Sequence, residues 1–174
     1  MDTTQAKISV QNINAEAFSL APSALITLFE IDIGTIGFNQ GILSQNEINS
    51  EINTVFRFHN VNKLGNTSIF WKGKEYIACP INAEGFEIST KGSLPTPKLS
   101  ISVSDNGIPA LSLLKDRIAQ LAGDLTGAKV SRIKTFAKFL DIENFFNGVL
   151  PDGYVGDNNS EFPRDVYFIE RKSL

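Results

Sequence analysis

The sequence predicts an α+β fold dominated by β-strands: an antiparallel β-sandwich or split barrel with one amphipathic helix packed against it. Three observations carry this. In residues 97–104, Leu99, Ile101 and Val103 alternate with Ser100, Ser102 and Ser104. A strand turns successive side chains to opposite faces, so this segment has one apolar and one polar face. Lys72-Gly73 separates Ile69-Phe70-Trp71 from Lys74-Glu75-Tyr76, and glycine supplies the positive φ that a tight hairpin needs. Finally, Leu111, Leu114, Ile118, Leu121 and Leu125 recur at helical spacing, with Lys115, Asp116, Arg117 and Gln120 between them.

The remaining elements follow in order. Residues 1–12 are polar and read as a loose or partner-bound arm. Asn14 suits the cap of a short helix over 15–20, stopped by Pro22. In 25–33, Phe29, Ile31 and Ile33 alternate with Glu30 and Asp32, giving a strand with one acidic face. Residues 34–54, rich in Gly, Asn, Gln, Ser and Glu, read as a long loop with a helical turn near 47–53. In 55–59, Phe56 and Phe58 face one way while Arg57 and His59 face the other, which places His59 at the surface or a sheet edge. Gly65-Asn66 marks a turn. Strands follow on both sides of Gly73, around Phe86 and over 99–104, and Asp105-Asn106-Gly107 breaks the sheet. The helix opens at Pro109 and ends at Gly123. Residues 129–141 fit period two and helical spacing almost equally, but their β-branched and aromatic content favours a strand. Residues 145–160 read as loop, and 165–170 as a closing strand. Residues 1–24 thus form an N-terminal arm with a short helix, and 25–172 a single β-rich domain. The 174 residues are enough to bury one core.

Composition excludes several function classes. The net charge is −3 with a pI near 5.2, without the basic stripe of a nucleic-acid binder. Arg132, Lys134 and Lys138 alternate with apolar residues and read as a solvated strand face. Met1-Asp2-Thr3-Thr4-Gln5 is not a secretory start, and no window reaches the roughly 18 apolar residues of a membrane span. The chain therefore reads as one made and kept soluble in a cytoplasm. Cys79 is the only cysteine and His59 the only histidine. A single cysteine makes neither an internal disulfide nor a metal cage, and reads as a small buried hydrophobe. Glu30 and Asp32 suit a cation in principle, but two carboxylates on a strand face are more simply solvated. Asp157-x-Asn159-x-Glu161 starts like a calcium loop, yet lacks the following glycine and the distal glutamate. There is no phosphate loop, no metalloprotease spacing and no nucleophile elbow. No catalytic, cofactor-binding or metal-ligating residue is assigned, and the chain is not read as an enzyme.

One ordered set of residues carries more. Trp71, Gly73, Tyr76, Pro80-Ile81, Gly85-Phe86-Glu87, Lys91-Gly92 and Pro97, followed by the alternating strand, resembles the minor tail protein L family of lambda-like tailed phages. Further similarity lies in Leu28-Phe29-Glu30-Ile31-Asp32, in Asp124-Leu125 with Gly127-Ala128-Lys129-Val130, and in Phe139-Leu140-Asp141 with Asn144-Phe145. Glu161-Phe162-Pro163 and the run from Tyr167 to Lys172 complete it, so the resemblance spans about residues 20–172.

The resemblance implies a fold related to tail-tube and hub domains. It also implies a structural component of the tail tip of a long, non-contractile tail, joining the distal tail ring to the central hub and receptor-binding or fibre assembly. The expected partners are further copies of the chain in a homotrimeric ring, the distal tail protein and the central hub or fibre protein. No membrane and no specific nucleic acid are expected, although DNA would pass through the lumen, which an acidic surface suits. The expected location is the virion tail tip after synthesis in the host cytoplasm. Family members carry a cysteine-rich C-terminal domain resembling an iron–sulfur site. Cluster ligation needs about four thiolates, so Cys79 alone carries none, and the sequence reads either as a shortened member or as an N-terminal portion. The polar face Ser100, Ser102 and Ser104 is the expected contact surface. The rival reading is a β-sandwich that binds a glycan or other ligand on a platform of Phe70, Trp71 and Tyr76.

Overall fold

The structure, a computed structural model, describes residues 3–51, 53–60, 68–86, 96–101, 109–121 and 123–145, and 149–170 except 151, 153, 155 and 158. In chain order the elements are α1 (Thr3–Ala17), β1 (Leu25–Asp32), α2 (Gly34–Asn39), α3 (Gln45–Ser50), β2 (Val55–His59), β3 (Ile69–Trp71) and β4 (Lys74–Ala78). There follow β5 (Ile81–Glu84), β6 (Lys98–Ile101), α4 (Pro109–Gln120), β7 (Lys129–Phe136), 3-10 turns at Ala137–Phe139 and Ile142–Asn144, and β8 (Asp165–Phe168).

Six strands form one curled, half-barrel sheet in the order β3-β4-β2-β1-β7-β8, and β5-β6 form a separate ribbon. The fold is β-dominated α+β, as the strand patterns predict. All neighbours are antiparallel except β2 and β4, where Phe58 pairs with Ile77 and His59 with Ala78 in parallel. The hairpin at Gly73 forms as expected: Lys72 and Gly73 have φ of 56° and 68°, the left-handed pair of a type I′ turn, and Trp71 pairs with Lys74. Residues 129–136 are a strand, paired with β1 along its whole length from Leu25–Phe136 to Asp32–Lys129.

Both faces of the sheet are covered. Phe29, Ile31, Phe56, Phe58 and Val130 pack on one face with Leu111, Leu114 and Leu121 of α4 and with Ile81, Phe86, Leu99 and Ile101 from the ribbon. Ile26, Leu28, Ile69, Trp71, Tyr76 and Ile133 pack on the other with Phe136, Phe139, Leu140 and Ile13 of α1. Burying each such large apolar side chain fully is worth about 1.5–3 kcal/mol. The stripe of α4 is therefore core. Gly123, at φ +77°, closes its end by donating its N–H to the Ile118 carbonyl at 2.8 Å; Leu125 lies beyond the helix.

Four expectations are corrected. The N-terminal helix is not a short one over 15–20 but 15 residues long, Thr3–Ala17, so α4 is not the only long helix. α1 docks through Ile13 and through Glu16, which is 4 % exposed, pairs with Lys138 and accepts the Ser23 N–H at 2.6 Å. A buried ion pair leaves no hydrophobic periodicity to read. Residues 34–54 are not one loop with a single turn. Two short helices occupy them, the second begun by a reciprocal Ser44–Glu47 capping box. The strands expected between residues 69 and 104 do not share one sheet: β3-β4 lie at one end of the main sheet, whereas β5-β6 form the ribbon. Phe86 packs beyond the end of β5 rather than within a strand. Ser102, Val103 and Ser104, Lys91-Gly92, the 65–66 turn, the 105–107 break and Arg171-Lys172 lie outside the described residues.

Candidate functional site

Strand alternation places Ile69 and Trp71 (β3), Lys74 and Tyr76 (β4), Val55, Arg57 and His59 (β2), Ile26, Leu28, Glu30 and Asp32 (β1) and Lys129, Ser131 and Ile133 (β7) on one face of the sheet. That face changes character along the strands. Around Leu28, Ile133 and Trp71 it is apolar core. Toward Asp32, Lys129 and Lys74 it opens into a charged cavity of about 220 Å³, also lined by Glu51, Lys72 and Arg164.

Glu30 is the hub of this cavity. It accepts the Tyr76 hydroxyl at 2.7 Å, Arg57 Nε at 3.3 Å and Arg164 Nη1 at 3.5 Å. Burial first, then the Glu30 carboxylate it faces, pushes the Tyr76 hydroxyl far above its ordinary pKa. Glu51 binds Arg57 Nη2 at 2.6 Å and Lys74 Nζ at 2.5 Å. It is held below the usual carboxylate pKa, first by the Lys74 hydrogen bond, against partial burial. Glu161 joins Lys72 at 3.1 Å and Arg164 at 2.9 Å, and accepts Trp71 Nε1–H at 3.3 Å. Its burial would raise its pKa; the hydrogen bonds and charges of Arg164 and Lys72 outweigh that and lower it. Lys129 lines the cavity and makes no ion pair among the described residues.

The arrangement crosslinks strands. Glu30 and Asp32 are not a freely solvated acidic face. Both are half-buried; Glu30 is spent on cations, and Asp32 Oδ1 accepts the Gly34 N–H at 2.8 Å where the chain turns into α2. His59 is neither at the surface nor at an edge: it is fully buried on β2 between Leu28 and Ala78. Cys79 is buried, as its sequence context predicts, and burial raises its thiol pKa. Its N–H donates to the His59 carbonyl at 2.9 Å. Its side chain, however, packs with Phe58, whereas His59 is the register partner of Leu28 in the opposite cluster. A neutral thiol so placed is a poor nucleophile.

The basic residues of 129–138 are likewise not freely solvated. Arg132 holds Asp165 at 2.7 Å and lies over the Phe86 ring at 4.2 Å, and Lys138 pairs with Glu16. Asp157 accepts Ser160 Oγ at 2.6 Å and Asn12 Nδ2 at 3.1 Å, while Glu161 turns to Lys72 and Arg164. The two carboxylates therefore serve separate networks. Among the described residues no group of three or more His, Cys, Asp or Glu converges on a metal-sized site. With one cysteine in the sequence, these residues do not fit an iron–sulfur cluster. The glycan platform does not form: Trp71 and Tyr76 are 0 % and 1 % exposed, so their ring faces are core. The pairings of Arg57, Arg164, Glu51 and Glu161 carry no signal in the sequence, because they depend on which strands become neighbours.

A curled sheet with an ion-paired polar cavity at one end of its covered face defines a β-rich domain. The family described as phage minor tail protein L matches residues 49–174, and the chain belongs to that family. The tail tip protein L of Escherichia phage lambda is 29 % identical over 126 residues, which cover 72 % of this chain and 45 % of that protein. The chain thus matches about half the length of that relative.

Proposed function

We propose that this chain is a structural, non-enzymatic component of a phage tail tip, joining the distal tail ring to the central hub and receptor-binding assembly. Family membership over residues 49–174 carries the reading, and the similarity to a tail tip protein of phage lambda supports it. The architecture suits the role. Glu30, Glu51 and Glu161 clamp β1, β2 and β4 and the segments at Lys72 and Arg164 together, as a joint between larger assemblies requires. Several copies close into a ring, three by the family's pattern, in the virion of a long-tailed phage. The distal tail protein and the hub or fibre protein are its neighbours, and DNA passes through the lumen without specific contact. Exposed Ser100 on β6 belongs to one contact face. The test is negative-stain microscopy of virions with a labelled antibody raised against residues 25–170. Label at the tail end is the expected outcome; virions labelled elsewhere or not at all would overturn the assignment.

A further inference from the structure

The two ends of the main sheet are finished differently. At β3 the backbone is sealed by a side chain: the Phe70 N–H donates to Asn144 Oδ1 at 2.8 Å, and Asn144 Nδ2 donates to the Phe70 carbonyl at 2.7 Å. The hairpin's Gly73 N–H is taken by Asp141 at 2.7 Å. The outward N–H and C=O of Phe70 are thus both taken. At β8 no described residue does the same.

The register identifies what β8 offers. Ile169 N–H donates to the Ala128 carbonyl, and the pairs Phe168–Lys129, Tyr167–Val130, Val166–Ser131 and Asp165–Arg132 follow. In an antiparallel ladder, pairs that exchange hydrogen bonds alternate with pairs that do not. Asp165, Tyr167 and Ile169 therefore bond inward to β7, and Val166 and Phe168 turn their N–H and C=O groups outward. These same two residues carry exposed apolar side chains, 46 % and 65 % exposed. Tyr167, on the other face, is fixed by an edge contact with Phe86 at 5.4 Å. An open edge with apolar side chains is a template for another strand.

The sequence of that edge is complementary to itself. Every second residue runs Arg164, Val166, Phe168, Glu170: cation, apolar, apolar, anion. Set antiparallel against a second β8 with Val166 opposite Phe168, it brings outward-facing backbone groups together. It also places apolar against apolar twice, and twice brings the Glu170 carboxylate alongside Arg164, which keeps its bonds to Glu161 and Glu30. Glu170 is exposed and makes no ion pair among the described residues. We propose that the unassembled chain forms a two-fold dimer by pairing β8 with β8 of a second copy, producing one continuous sheet across both. Such a contact is isologous and closes on itself, so it cannot build a three-fold ring. It protects the edge before assembly, and its failure leaves the tail-tip reading untouched.

The test is the mass of the full chain by light scattering after gel filtration, across a dilution series. The wild type is expected to run as a dimer. V166K and F168E singly, both at exposed positions, are each expected to weaken association roughly tenfold or more, because each puts a charge against an apolar partner in both halves of the seam. The double variant V166K/F168E, which sets opposite charges across each seam pair, is expected to recover the dimer. A monomeric wild type, a dimer or trimer indifferent to V166K and F168E, or a double variant weaker than both single ones would overturn the proposal. Circular dichroism of each variant reports whether the fold is kept, and an unfolded variant is replaced by V166T or F168T, which remove apolar contact without adding charge.

Discussion

Tyr76 donates its hydroxyl to Glu30 across 2.7 Å, although β4 and β1 are not neighbours and β2 lies between them. The two long side chains reach toward each other over β2, so the contact ties β4 to β1 across the strand between them. Tyr76→Phe keeps the buried ring and removes the hydroxyl. Glu30 retains Arg57 and Arg164, so the expected loss is about 1–2 kcal/mol in urea unfolding, with an unchanged m-value. A neutral outcome would show that the bond does not help to hold β4 against β1.

Acid should loosen the cavity. The folded-state pKa values of Glu161 and Glu51 lie below the ordinary value of 4.5. A depressed carboxylate contributes stability that is present above its unfolded pKa and lost as pH falls through the folded value. Stability should therefore hold near neutral pH and decline below about pH 4.5. Glu161→Gln should be less stable near neutral pH and show a shallower decline. Urea titrations at stepped pH would decide; parallel curves for wild type and variant would remove Glu161 from the account.

Trp71 is the largest of the fully buried side chains. Trp71→Ala is expected to cost about 3–5 kcal/mol, enough to unfold a marginal domain. In the wild type, its fluorescence should be blue-shifted and indifferent to added sugars. A sugar-dependent change in that emission would revive a ligand platform.

Asn144→Ala should uncover the Phe70 N–H and C=O together. The expected cost is roughly 1–3 kcal/mol from unmade hydrogen bonds, accompanied by faster aggregation on concentration, since a second edge becomes available for pairing. Light scattering over time would check it; a variant as soluble as the wild type would mean that β3 is protected by something other than Asn144.

What the sequence shows clearly is local. The alternation around Phe29 and Phe56, the leucine spacing of α4 and the left-handed pair Lys72-Gly73 each need only a few consecutive residues to recognise, and each forms. What it conceals depends on distant neighbours. His59 alternates like a surface residue, but β2 is interior and its other face is covered too. Glu30 looks like a solvated acid until Arg57 and Arg164 arrive from other parts of the chain, and Asp32 until the backbone turns at Gly34 to meet it. α1 escapes because its anchor is Ile13 with a buried Glu16–Lys138 pair rather than a stripe. The cavity network escapes altogether, since its partners are set by strand order.

The central pairing has a consequence for how the chain is made. One neighbour of β1, β2, follows it closely in the sequence, yet the other is β7, with Leu25 matched to Phe136 across most of the chain. Until residues 129–136 are synthesised, β1 stands as a bare apolar edge. A topology dominated by such distant contacts folds in milliseconds to seconds rather than microseconds, and its half-made forms are prone to aggregate. Nascent chains stalled before β7 should therefore depend on chaperones, and that dependence should end once Phe136 has cleared the exit tunnel.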